Sequence, residues 1–218
     1  MIIPSVIGKD FSEVLATINR VSSFVEWTQI DVSDGKFTPA TTWPYNEGGD
    51  IDELRKFLNL STRPKVELHL MVSNPEETID KWLGLKPEKI FVHYESTEKL
   101  LEILRKIKAT ETVAGVVLNM ETPVEVVREF LGELDEVLLM SIDTLGSYGA
   151  KFNPEVIDKI RGFRSMSASV TMGIDGGVNL RNARDLISAG ADNLVVGSAI
   201  LRGDDVAIAV KEFNEISK

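Results

Sequence analysis

Residues 26–35 read EWTQIDVSDG, a strand-like run that ends in two carboxylates three positions apart and a glycine. Successive side chains of a strand point to opposite faces, so over 26–32 Gln29 and Asp31 share one face while Ile30 and Val32 take the other. In a barrel strand Asp31 then points either inward or outward beneath the surrounding helices, where an unpaired carboxylate is costly. The inward direction is favoured. Asp34, beyond the strand and followed by Gly35, is open to two readings: a second acid at the mouth of a site, or a turn former bonded to its own backbone, the commoner use of Asp-Gly.

Runs of the same kind recur along the chain at 2–6 (IIPSV), 65–70 (KVELHL), 88–93 (EKIFVH), 112–118 (TVAGVVL), 135–141 (DEVLLMS), 169–174 (SVTMGI) and 192–197 (DNLVVG). Amphipathic segments alternate with them at 10–22, 50–58, 75–83, 97–107, 122–131, 153–162, 179–189 and 204–217. Asn74-Pro75, Thr122-Pro123 and Asn153-Pro154 each place a capping residue before a proline suited to the first helical position. Eight strand-helix units in 218 residues predict an α/β fold, a (β/α)8 TIM barrel at the small end of its size range, as one domain over 1–218. The one long connection, 33–49, carries Trp43 and Tyr45 and has the length of a lid.

At 43% hydrophobic and 27% charged, the chain has the composition of a soluble domain with a sizeable core. No run reaches the roughly 18 apolar residues of a membrane span, and MIIPSVIGKD lacks the parts of a signal peptide, so a cytoplasmic location is expected. Zero cysteines exclude disulfides, thiolate metal sites and a cysteine nucleophile. The net charge of −10 opposes nonspecific attraction to nucleic acid or anionic lipid, yet leaves room for a local phosphate pocket.

Barrel enzymes keep their chemistry at the carboxyl ends of the strands. Here those ends supply Ser5, Asp31 with Asp34, His69, His93, Asn119, Ser141 with Asp143, Asp175, and Gly197 with Ser198. A histidine in such a place is more often structural, but His69 accompanies two aspartates and is read as part of a site. GIDGGVN (173–179) follows its acid with Gly176 and Gly177 just before a helix, and VVGSAI (195–200) offers Gly197 and Ser198. Glycines let backbone N–H groups approach an anion, and the last two strands of a barrel commonly hold phosphate. A third glycine loop, 143–152, contains Gly146, Gly149 and Lys151 and could close over the same anion.

At this point PSVIGKDF, IDVSDGKFTP, ELHLMVSNPE, FVHYES, GVVLNMETPVE, LLMSI, KFNPEVIDKIR, IDGGVN and AGADNLVVGSAI, in that order, resemble the ribulose-phosphate 3-epimerase family over nearly the whole length. The resemblance implies a phosphate-binding barrel of pentose phosphate metabolism that epimerises carbon 3 of a ketose phosphate, of the D-ribulose 5-phosphate to D-xylulose 5-phosphate type. It implies catalytic acids at Asp31 and Asp175, a divalent metal (Zn, Mn, Fe or Mg type) on Asp31, His69 and Asp175, and a small-molecule sugar phosphate held by Ser5, His69 and the glycine loops. It also makes a homo-oligomer an expectation.

Two places depart from the family pattern. Where the family reads His-x-Asp-x-Met-Asp-Gly-His-Phe, this chain has Gln29, Ser33 and Lys36 at the altered positions. A glutamine carbonyl is a weaker and harder donor than imidazole, so Gln29 as fourth ligand shifts preference from zinc toward manganese or magnesium; alternatively the site holds no metal. Lys36 is then either a charge near the enediolate or a solvated loop lysine. The 143–150 segment replaces the family's Asn-Pro-Gly-Phe-Gly-Gly-Gln and touches the phosphate grip. The alternatives to an epimerase are a diverged sugar-phosphate barrel with another substrate or reaction, and a metal-free noncatalytic binder.

Overall fold

Alternation along the eight runs gives a sheet whose two faces carry different chemistry. A computed structural model describes residues 1–146, 149–203 and 205–216. Its strands are β1 (Ile2–Val6), β2 (Trp27–Ser33), β3 (Lys65–Met71), β4 (Lys89–His93), β5 (Val113–Leu118), β6 (Glu136–Met140), β7 (Thr171–Asp175) and β8 (Asn193–Val196). Each pairs in parallel with the next, and β8 returns to β1 through Ile2↔Leu194, Ile3↔Val195 and Pro4↔Val196, closing the expected (β/α)8 barrel. Among the described residues no helix is long and apolar enough to cross a membrane.

The outward face is apolar. Ile30 and Val32 of β2, Leu68 and Leu70 of β3 and their equivalents around the ring are fully buried in one core shared with the helices. The apolar stripe of α1 (Phe11–Val21), for example, places Phe11, Val14, Ile18 and Val21 there, and Asp10 starts this helix by accepting from the Glu13 amide at 2.9 Å.

The inward face is layered. At the amino end of the strands Lys89 Nζ donates to Glu136 Oε2 at 2.7 Å and lies 3.4 Å from Glu67 Oε2, while Asn193 donates to Glu136 Oε1 at 2.6 Å. Burial, opposed by the Lys89 charge, pushes the Glu67 carboxyl up to about 8. Above this floor sits an apolar plug that includes Ile3, Phe91, Val117, Leu138 and Val195. Gly115 is required there, because a Cβ would meet the Phe91 ring at 2.1 Å. Polar side chains return only above the plug.

The connections depart from simple periodicity. Helices α2 (Glu53–Leu58), α4 (Leu100–Lys108), α5 (Val156–Met166), α6 (Ala183–Ala189) and α8 (Val206–Ile216) fall within or close to their expected spans. The 75–83 span is a 3₁₀ turn, Pro75–Glu77, followed by α3 (Ile79–Leu83), and 122–131 yields a 3₁₀ segment, Val124–Phe130, instead of an α-helix. The caps explain this in part. Asn74 is left-handed (φ 51, ψ 56) with no side-chain cap bond, and the Thr122 hydroxyl is taken by Glu95. Three valines, at 124, 126 and 127, also weaken helix propensity. Asn153 accepts from the Glu155 amide at 3.0 Å in the turn ahead of α5, but the N-cap of that helix is Glu155, which makes no side-chain cap bond. A short helix, α7 (Ser198–Leu201), directly follows Gly197.

The 33–49 connection is no free lid. Trp43 is 1% exposed, packs on Phe11 and Trp82, and donates through Nε1 to Glu53 at 2.8 Å. The start of the connection is pinned by a bridge between Asp34 and Thr41.

Candidate active site

Register brings the polar side chains together. Ser5 stands beside Gln29, Asp31 beside His69, and Met140 beside Asp175, all toward the carboxyl ends of their strands. Asp31, His69 and Asp175 are buried, and one ligand atom from each lies within 4.8 Å of the others. His69 Nδ1 is 3.2 Å from Asp31 Oδ1 and 3.3 Å from Asp175 Oδ2.

Gln29 lies within this group and is fully buried. Its Nε2 donates to Asp31 Oδ1 at 2.7 Å and to Asp175 Oδ2 at 2.8 Å, and sits 3.4 Å from His69 Nδ1. Reversing the amide would aim a carbonyl oxygen at two carboxylates, so chemistry fixes this orientation. Its Oε1 is then buried without a hydrogen-bond partner, a cost of about 1–3 kcal/mol.

That orphaned oxygen bears on a divalent cation. A carboxylate from β2, an imidazole from β3 and a carboxylate from β7 converge, and turning the amide would present Oε1 as a fourth donor. The set fits a divalent metal of the hard-to-borderline kind.

Burial alone would lower the His69 pKa, but hydrogen bonds to Asp175 and Asp31 and their charges raise it to about 9. Burial raises the Asp31 pKa, against its hydrogen bond to His69 and with the nearby Asp175 charge. His93, mainly through burial, is lowered to about 4 and is a neutral ring. It stands behind His69, with Nε2 2.8 Å from His69 Nε2 and Nδ1 3.3 Å from Glu95 Oε2.

The expected phosphate residues Ser5, His69, Gly146, Gly149, Gly176, Gly177, Gly197 and Ser198 all line the same cavity as Asp31 and Asp175. Gly176 and Gly177 have φ of 112 and 63, which other residues rarely adopt, and a Cβ on Gly177 would meet the Phe152 backbone at 2.9 Å. Within the 143–152 loop, Ser147 and Tyr148 lie outside the described residues; Gly146 abuts Thr38, and Gly149 lies beside the Arg202 guanidinium.

Asp34 takes the turn role: Oδ1 accepts from the Lys36 and Phe37 amides at 2.9 Å, and Oδ2 from the Ser73 amide at 2.9 Å. Lys36 is exposed on that turn. Sequence reading missed Glu95, although the His-x-Glu spacing of FVHYES was there to be seen. It also missed Met71 and Met140, which line the cavity but read as ordinary strand hydrophobes.

The description "Ribulose-phosphate 3 epimerase family" belongs to a family model that matches residues 1–201. A ribulose-phosphate 3-epimerase of Chlamydia muridarum is 33% identical over 218 residues, covering 97% of this chain and 92% of that protein. One of Mycobacterium bovis is 30% identical over 214 residues, covering 96% and 90%. A chloroplastic ribulose-5-phosphate-3-epimerase of Arabidopsis thaliana is 33% identical over 216 residues, covering 95% of this chain and 74% of that protein. Among solved structures, a 3-hexulose-6-phosphate synthase aligns over 99% of both chains with a TM-score of 0.74 at 16% identity, a likeness of fold alone.

Proposed function

Since the chain belongs to the ribulose-phosphate 3-epimerase family and is an epimerase, an enzyme of the isomerase class, we propose that it inverts carbon 3 of a ketose phosphate, interconverting D-ribulose 5-phosphate and D-xylulose 5-phosphate or a close relative. The observation that carries this reading is the meeting of two buried carboxylates, Asp31 from β2 and Asp175 from β7, in one cavity with the glycine loops.

A proton beside a ketone is weakly acidic, so its removal needs a positioned base and stabilisation of the resulting enediolate. Asp31 and Asp175 supply the proton-transfer pair: one carboxylate takes the carbon 3 proton and the other, protonated, returns one to the opposite face. The burial that raises Asp31 favours a proton on that carboxyl. Without a cation, protonated His69 donates through Nδ1 to both acids and holds them in place. Gly176, Gly177, Gly197 and Ser198 hold the phosphate and thereby fix the distance from phosphate to carbon 3. Asp31, His69 and Asp175, with the Gln29 carbonyl turned inward, would hold a divalent cation, which when bound polarises the ketone oxygen.

The test is an epimerisation assay on a panel of ketose phosphates, run with manganese, with zinc and with chelator. Turnover of a pentulose phosphate is the expected result; no turnover of any member under any condition overturns the reading. Activity that survives exhaustive chelation removes the metal from it.

A further inference from the structure

Behind the proposed ligand His69 runs a line of hydrogen-bonding groups that reaches a carboxylate outside the cavity. Glu95 Oε1 accepts from the Asn119 amide at 2.8 Å and from the Thr122 hydroxyl, which pins the side chain and leaves Oε2 facing His93 Nδ1 at 3.3 Å. His93 Nε2 and His69 Nε2 are 2.8 Å apart while the ring centroids are 5.0 Å apart and the planes 24° from parallel, so the rings meet edge to edge. Phe37 packs against His93, its centroid 4.7 Å away.

Proton counting leaves one arrangement. An ionised carboxylate only accepts, so His93 carries its proton on Nδ1. Its Nε2 is then bare, and between two nitrogens 2.8 Å apart only one proton fits, so it belongs to His69 Nε2. When a cation displaces the Nδ1 proton, neutral His69 is thereby left with its lone pair on Nδ1, the atom that faces Asp31 and Asp175.

We propose that Glu95 and His93 are positioning residues that act in series to fix the tautomer and ring orientation of His69, aiming its Nδ1 lone pair at the cation position. The proposal rests on the metal-site reading given above. Outer partners of a ligating histidine set ring orientation and basicity in this way, and their loss typically lowers metal affinity about 10–100-fold.

Glu95→Gln is the decisive variant. With the carbonyl still engaged by Asn119 and Thr122, the NH2 faces His93 Nδ1 and turns it into an acceptor, which moves the His93 proton to Nε2 and leaves His69 with a bare Nε2 and its proton on Nδ1. The chain has only two histidines, so a long-range ¹H–¹⁵N spectrum of the metal-free protein shows just these two rings. In the wild type, a proton on His93 Nδ1 and a bare His93 Nε2 are expected; a bare Nδ1 overturns the proposal, whether or not any variant folds. In Glu95→Gln, reversed His93 nitrogens and a Mn²⁺ affinity about 10–100-fold weaker by calorimetry are expected; unchanged nitrogens with unchanged affinity overturn it. Both readouts are independent of turnover, so a failed epimerase assay does not sink the relay, and a failed relay leaves the epimerase standing.

Discussion

The amide of Gln29 donates to Asp175 Oδ2 at 2.8 Å, linking β2 to β7 across the interior of the barrel, and the same NH2 also bonds Asp31 at 2.7 Å. It stands among the three groups that would hold a cation, so amide and cation compete for one position until the amide turns. Replacing it by imidazole removes the competitor and adds a stronger donor. Gln29→His is expected to tighten divalent metal binding by roughly tenfold or more and to shift preference toward zinc. Competition titrations with a chromogenic chelator measure this, and equal affinities in the two proteins argue against the assigned geometry.

Removing either acid should stop the proton traffic. Asp175→Asn keeps the size and much of the hydrogen bonding of the side chain but cannot act as a base. Exchange of the carbon 3 proton with deuterated water is expected to fall by roughly 10²–10⁴-fold, with the variant still folded. Exchange at the wild-type rate would end the catalytic assignment of Asp175.

The two histidines should leave opposite marks on stability. His69 binds its proton more tightly in the folded state, with a pKa raised from 6.5 to about 9, so its contribution is complete below pH 6.5 and is lost as the pH rises toward 9. His93 is lowered from 6.5 to about 4, so the folded protein stays neutral where the unfolded chain takes a proton, and stability falls from pH 6.5 toward 4. Each window is worth ~3 kcal/mol. Urea unfolding of the metal-free protein at pH 4.5, 6.5 and 9 checks both, and His69→Gln should flatten the alkaline limb. An alkaline limb as steep in that variant as in the wild type would disprove the attribution.

Gly177 offers a test of the anion loop. A methyl group there must tolerate φ 63 and the Phe152 backbone at 2.9 Å. Gly177→Ala is expected to destabilise the fold by about 1–3 kcal/mol and to raise KM for a ketose phosphate, with a smaller effect on kcat. A KM unchanged in a folded variant places the phosphate elsewhere.

The barrel was legible because β-branched runs and amphipathic segments alternate eight times, a pattern that survives any local irregularity. Asp31 was legible for a second reason: beside Ile30 and Val32, its period leaves the carboxylate only an inward destination. What was not legible depends on which neighbour a side chain finds. Thr122 looks like a helix cap in sequence, yet its hydroxyl serves Glu95, and the segment beyond it winds as a 3₁₀ helix. Trp43 sits amid turn formers, and nothing in its neighbours announces that it is buried against Phe11 and Trp82. Gln29 read as a weaker copy of a histidine. Only its distances to Asp31 and Asp175 show that its nitrogen, not its oxygen, faces the acids.

The buried Lys89 floor and the apolar plug above it close the barrel interior beneath the site. Among the described residues, the route left for water to the two carboxyls is the open end of the cavity, where the proposed sugar would enter. On the proposed mechanism a bound sugar would cork the vessel, and a proton lifted from carbon 3 would wait on its aspartate until the sugar departs. Solvent isotope in the product should accordingly count arrivals and departures, so that each deuterium marks one opening of the mouth between catalytic events.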